Sequence, residues 1–189
     1  MRSISVIDCD NGVKLLPANK SLKDEILFAM IESGDEVFHA MPWLEIENPI
    51  PNQIDEYLTE VQRYGAAGLS YHWVINIGEN FVGLIALDHT PQLTLGHWNL
   101  GYWVRLNAQR KGIASAAIDG VLGWIGRGGL TSVEISVNPE NIAGVRTAEG
   151  AVSRWNGRVL DNQIEVELSG SIVMHDCWLI PRLPLGVNR

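Results

Sequence analysis

Residues 107–115 read NAQRKGIAS. A polar turn ends at Gly112 and runs into a helix that opens with the small residues Ala114 and Ser115. The first turn of a helix leaves about four backbone N–H groups without partners and carries roughly half a positive charge. Gly112 lets the backbone approach a ligand closely, and the small residues behind it keep bulk away. Arg110 and Lys111 add formal charge. The combination specifies an anion cradle, suited to phosphate or pyrophosphate. Two common phosphate loops are excluded, because the chain has no G-x-x-x-x-G-K-[ST] and no G-x-G-x-x-G after a strand.

Periodicity supplies the elements on either side. Upstream, LTLGHWNLGYWVRL (93–106) alternates as one long strand. His97, Asn99, Gly101 and Trp103 lie on one face, and Trp98, Leu100, Tyr102 and Val104 on the other. Downstream, a helix is predicted from about Lys111 to Gly126, with Gly126, Gly128 and Gly129 as its stop. TSVEISV (131–137) is the next strand, Asn141 caps a short helix to about Glu149, and Ile164–Leu168 and SIVMHDCWLI (171–180) are two closing strands. Toward the start, GVKLLPA is a short strand ended by Pro17. Ser21 with Asp24 marks the N-cap of a helix closed at Gly34. HAMPWLEIENPIP (39–51) is a proline-broken loop, and Ile54, Tyr57, Leu58, Val61 and Tyr64 recur at helical spacing. HWVINIGENFVGLIAL (72–87) is a hairpin turning at Gly78-Glu79-Asn80. The order β-α-α-β-β-β-α-β-α-β-β predicts an α+β fold around one mixed sheet.

The 189 residues show no break in composition, so one domain over 1–189 is expected. No apolar run approaches the ~20 residues that span a bilayer. Asp8 and Asp10 interrupt the start where a signal peptide needs apolar residues, so the expected location is cytoplasmic. Cys9 and Cys177 make no disulfide framework. Net charge is −8 but unevenly spread. Residues 1–90 hold 14 acidic and 5 basic side chains, whereas 91–132 hold Arg105, Arg110, Lys111 and Arg127 against Asp119 alone. The acidic total argues against nucleic acid as a partner. The five histidines lack ligand spacing, and no metal is expected.

Taken together, these residues resemble the GNAT N-acetyltransferase superfamily in its RimJ/RimL-like branch. LGYWVRLNAQRKGIASAAI (100–118) is similar to the family's central strand, loop and helix, and VEISVNPEN (133–141) to the next strand and its asparagine. MPWLE (41–45) resembles a segment near the acceptor pocket, and HDCWLIPR (175–182) the closing strand. The resemblance implies a mixed, mostly antiparallel sheet with helices on both faces, and acetyl-CoA as co-substrate. It implies that amides of Lys111, Gly112, Ile113, Ala114 and Ser115, with Gln109 and Arg110, grip the pyrophosphate. The strand edge Trp103–Leu106, including Val104 and Leu106, would pair with the pantetheine arm, and Asn141 would bond it from the opposite strand. The acceptor implied is a protein N-terminal amine. A small amine such as an antibiotic, polyamine or aminoacyl-nucleotide is the alternative, as is a non-catalytic acyl-CoA-binding domain. Either a monomer or a homodimer is consistent with the sequence.

Acetyl transfer needs a neutral amine, a stabilised oxyanion and a proton for the departing thiolate. An α-amine, with a pKa of about 7.7–8.0, needs less help than lysine at about 10.4. His97, Asn99 and Glu134 are the candidate catalytic residues, set against a cross-strand structural role for His97 and a surface ladder carboxylate for Glu134. His39 and Trp43, in the proline-broken loop, are candidates for the acceptor. Neither cysteine has a nucleophile signature, so direct attack in a ternary complex is expected. The chain departs from the family where Asn-x-x-Ser ends in Gly144, where Val152 and Ser153 replace Gly-Phe, and where Asn99 replaces a frequent glutamate.

Overall fold

The structure is a computed structural model that describes residues 4–89, 95–127, 132–168 and 170–181. Its elements run β1 (Ile7–Asp8), β2 (Val13–Pro17), α1 (Lys23–Ser33), α2 (Ile50–Ala67), β3 (Ser70–Ile77), β4 (Asn80–Asp88), β5 (Trp98–Val104), α3 (Ile113–Arg127), β6 (Val133–Val137), α4 (Ile142–Arg154), β7 (Arg158–Leu168) and β8 (Ser171–Ile180). The described strands form one sheet in the order β1-β2-β3-β4-β5-β6-β8-β7. Every neighbouring pair is antiparallel except β5 with β6. The expected mixed sheet is present.

Strand alternation divides the core into two layers. One face of the sheet sends Trp73, Ile75, Ile85, Leu87, Trp98, Leu100 and Ile135 against α3 and α4. The other sends Val74, Leu84 and Trp103 against α1 and α2. A glycine lets α3 lie close to the segment that follows β1; a Cβ on Gly120 would collide with the Cys9 sulfur. Under α3 the Trp73 and Trp124 rings meet edge to face at 5.0 Å. Ser5 satisfies both indoles, its carbonyl accepting from Trp73 Nε1 at 2.8 Å and its hydroxyl from Trp124 Nε1 at 3.0 Å. Each buried indole so bonded avoids an unpaired donor, which costs about 1–3 kcal/mol.

Helix α2 buries Ile54, Tyr57, Leu58 and Val61 as its spacing predicts, while Tyr64 is at the surface. The expected N-cap at Ser21 is wrong. Asn19 makes the cap instead, accepting from the Ser21 amide at 2.9 Å, and heads a 3-10 turn at Lys20–Leu22 that leads into α1. The long strand is shorter than its alternation suggests. Its start at Leu93 and Thr94 lies outside the described residues, as do Gly128 and Gly129 of the expected helix stop. Residues 95–97 are not strand because the Glu134 carboxylate takes the amides of Leu95 and Gly96.

Candidate active site

A 3-10 turn at Leu106–Ala108 leads from β5 toward α3. Two residues of the connection take left-handed backbone, Arg110 (φ 60) and Gly112 (φ 75). Turns of this kind aim successive N–H groups outward and form anion-binding concavities. Only glycine reaches such a φ without strain, and a Cβ at 112 would lie 3.4 Å from the Asn11 amide nitrogen. Among the described residues, no amide from Arg110 to Ser115 donates to a protein acceptor. The first donor of α3 is Ala116, to the Gly112 carbonyl at 3.0 Å. Unpaired donors therefore collect at the positive end of a helix of 15 residues.

The neighbouring side chains hold this turn in shape. Gln109 Nε2 donates to the Val104 carbonyl at 3.0 Å and fixes the end of β5. Lys111 Nζ reaches back to the Asn107 carbonyl at 3.0 Å, keeping its charge over the turn. Arg110 is exposed, Ile113 is buried beneath the helix, and Ala114 and Ser115 are half-buried. Arg105 faces away from the turn. It pairs with Glu32 and donates to the Phe81 carbonyl at 3.0 Å.

Beside the turn the sheet is split. Among the described residues, β5 and β6 pair only at Trp98 with Val133 and Asn99 with Glu134. Beyond that point, among the described residues, β5 runs on to Val104 and β6 to Val137 without pairing to each other. Arg105 N–H bonds the Val82 carbonyl at 2.9 Å, so by alternation the Val104 and Tyr102 amides face the split. Trp103 contributes its ring to the α1–α2 layer, and Leu106 belongs to the 3-10 turn with its side chain in solvent. The usable edge thus ends at Val104, two residues before the expected one.

Across the split, Asn141 caps α4, accepting from the Gly144 amide at 2.9 Å. A Cβ on Gly144 would lie 2.7 Å from both Asn141 Nδ2 and Val137 Cγ1. There is no room for the serine that the motif would place there. The Tyr102 hydroxyl bridges from β5, donating to the Gly144 carbonyl at 3.3 Å, and burial raises its pKa so that it stays protonated.

On the α1–α2 face, register aligns Ser70, Asp88, Asn99 and Glu134 in one row, and His72, Ala86 and Gly101 in the next. A Cβ on Gly101 would meet nothing within 4 Å, so open space stands over the middle of β5. On the same face, the Tyr57 hydroxyl lies 2.9 Å from His72 Nδ1, and His72 Nε2 lies 2.8 Å from the Asp88 carboxylate. The Trp43 ring stacks on Tyr57 with centroids 4.4 Å apart and planes 7° from parallel. Burial, then the Asp88 charge, raise the Tyr57 pKa. His39 is exposed at the end of a 3-10 turn, Gly34–His39. His97 precedes β5, its Nε2 3.3 Å from that of His89. Glu134 is 1% exposed and holds the Leu95 and Gly96 amides.

Residues 14–151 match the family model of the acetyltransferase (GNAT) domain. The chain belongs to the GNAT acetyltransferase family. No curated protein matches it by sequence. Among solved structures, this GNAT chain is similar to RimL, a ribosomal L7/L12 alpha-N-protein acetyltransferase in complex with coenzyme A. That likeness has a TM-score of 0.79 at 14% identity and covers 95% of this chain and 98% of that one. It is similar to the microcin C7 self-immunity acetyltransferase MccE in complex with acetyl-CoA and AMP, with a TM-score of 0.72 at 16% identity over 91% and 93% of the chains. It is also similar to Mycobacterium smegmatis RimJ in complex with CoA-disulfide, with a TM-score of 0.70 at 20% identity over 94% and 86%. These likenesses show a shared fold.

The acetyl donor of a GNAT acetyltransferase is acetyl-CoA, and the split and cradle of this chain fit such a molecule. Unpaired strand edge, unpaired helix amides and a glycine at the point of closest approach are what an extended arm ending in a pyrophosphate requires. Reading the sequence alone missed Tyr57, His72 and Asp88. Tyr57 reads as one more apolar position of α2, and the other two are ordinary strand residues until register sets them together. The available signal was polar residues alternating onto a strand face that is otherwise apolar.

Proposed function

We propose that this acetyltransferase moves the acetyl group of acetyl-CoA onto a primary amine, with a protein N-terminal α-amine as the preferred acceptor. The observation that carries the reading is the set of unpaired amides from Arg110 to Ser115 beside a split between β5 and β6. Acetyl-CoA supplies an acyl group activated as a thioester. The amides of residues 111–115 bind its pyrophosphate, with Arg110 adding charge. The edge of β5 at Tyr102–Val104 aligns the pantetheine arm, and Asn141 supports it from the α4 side. The Val104 amide, facing the split, is placed to stabilise the oxyanion that an attacking amine creates. Tyr102 keeps its proton until the thiolate leaves, then passes it to the sulfur and takes up the proton that the attacking nitrogen releases as the amide forms. One domain over 1–189 carries these parts, and a cytoplasmic setting suits both the donor and the acceptor.

RimL, by its name, is a ribosomal-protein alpha-N acetyltransferase, and the fold it shares with this chain supports an α-amine acceptor. MccE supports a second reading, a small amine borne on a nucleotide, since its structure holds AMP. A thiol-release assay with acetyl-CoA separates these against peptides with free N-termini, polyamines and aminoacyl-nucleotide analogues. Turnover on peptides supports the first reading and turnover on the nucleotide analogue the second. Binding of acetyl-CoA without turnover on any amine would leave a non-catalytic acyl-CoA-binding domain.

A further inference from the structure

We propose that Tyr57, coupled to His72 and Asp88, accepts the proton of the acceptor amine, and that Trp43 walls the place where this amine sits. The inference rests on the acetyltransferase reading above and assigns the base that reading lacks. An amine that reaches the split must stand over β5, where Gly101 leaves open space on the α1–α2 face. His72 belongs to the same row as Gly101, with only the Ala86 methyl on the strand between them. Asp88 lies in register with Asn99, and its side chain is 32% exposed, so the network reaches the open face.

The other polar groups on this face do not fill the role. The Asn99 amide has no basic atom. The Glu134 carboxylate is buried and bonded to the Leu95 and Gly96 amides. His97 lies four residues from Gly101, about 13 Å along an extended chain. It pairs with His89 instead.

The hydrogen bonds set the direction of proton flow. An ionised carboxylate only accepts, so His72 Nε2 carries its hydrogen toward Asp88, and the bare Nδ1 accepts from the Tyr57 hydroxyl. The Tyr57 oxygen keeps a lone pair for the substrate. In the step, the ammonium N–H bond breaks and its proton passes to the Tyr57 oxygen. The Tyr57 O–H proton passes to His72 Nδ1 as that bond breaks. The amine keeps the electron pair it needs to attack, and the imidazolium faces the Asp88 carboxylate. After product leaves, the proton returns by the same route to water. Tyr57 is the catalytic residue of this relay, and His72 and Asp88 position and polarise it.

The test compares wild type, Tyr57→Phe and Asp88→Asn on two acceptors: an ordinary primary amine, protonated at the assay pH, and a hydrazide of similar shape that is already neutral there. On the ordinary amine both variants are expected to lose about 10²–10⁴-fold in kcat, against less than about tenfold on the hydrazide, with KM for acetyl-CoA unchanged. Nitrogen-15 shifts of the His72 ring in the ligand-free protein should report the Nε2–H tautomer, with Nδ1 shifted in Tyr57→Phe. If Tyr57→Phe does not fold, Asp88→Asn carries the same comparison. Equal losses on the two acceptors would show a structural network and overturn the relay, as would unimpaired turnover or an Nδ1–H tautomer. Wild type inactive on every amine would overturn the acetyltransferase reading, and the relay with it.

Discussion

Arg110 holds a backbone conformation that side chains seldom adopt, with φ at 60, while its guanidinium stands in solvent. The left-handed region costs an L-residue about 1–2 kcal/mol. The strain and the charge can be separated. Arg110→Gly should raise stability by about 0.5–1 kcal/mol in urea unfolding while weakening acetyl-CoA binding measured by calorimetry. Arg110→Glu should weaken binding further, by tenfold or more, since it sets a like charge beside a pyrophosphate, a contact worth about 1–2 kcal/mol. Glu134 presents the reverse case, a residue read as catalytic that the hydrogen bonds tie to structure. Its carboxylate is the acceptor for Leu95 and Gly96, and Gly96 leaves it no slack, a Cβ there falling 2.7 Å from Glu134 Cγ. Glu134→Ala should cost about 2–4 kcal/mol in unfolding free energy through two orphaned amides, with acetyl-CoA still bound by the protein that remains folded.

Helix α4 shows at the scale of the element why a motif can lose a member and keep its fold. Asn141, Gly144 and Val137 fill the first turn so closely that side-chain atoms at 144 have nowhere to go. Gly144→Ser should therefore destabilise by about 1–3 kcal/mol, as overpacking does, and should not raise turnover. An increase in kcat would show that the missing hydroxyl had been a working part. Periodicity made most elements legible before any coordinates. The α2 face, the β3–β4 hairpin, α3 and the two closing strands all follow from alternation or helical spacing, and the turn at Gly112 stood out by its place between a strand and a helix. What stayed hidden depends on register. Nothing local says that Asp88 and Asn99 are cross-strand partners, that Tyr57 reaches His72 across 15 positions, or that Glu134 delays the start of β5 by capturing amides 38 and 39 residues away. Ser21 was misread for the opposite reason, since Asn19 two residues earlier offers the better acceptor and moved the start of the turn.

Taken whole, the molecule carries its charge balance and its acid sensitivity in different places. His175 on β8 is 9% exposed, and among the described residues neither ring nitrogen has a hydrogen-bond partner. Burial lowers its pKa below 6.5 and outweighs the opposing pull of Asp176. As pH falls through that region the unfolded chain takes up a proton that the folded chain refuses, so stability is present above it and lost below it. The urea midpoint should drop between about pH 7.5 and 5.5, and His175→Phe should flatten that drop by removing the linked proton. A drop of undiminished size in the variant would assign the acid sensitivity to other groups.

A sheet joined at its middle by two residue pairs among the described residues has a seam. If the donor's arm lies along that seam, it acts as a missing strand, and each turnover removes and replaces a piece of secondary structure. Amides of Tyr102 and Val104 should then exchange with deuterium quickly in the empty protein and slowly in the loaded one. The unfolding free energy should climb with donor concentration by RT ln(1 + [L]/Kd), and the midpoint should rise with it. Cells rich in acetyl-CoA would hold a stiffer, longer-lived enzyme than starved ones, which couples the protein's persistence to the nutrient it consumes.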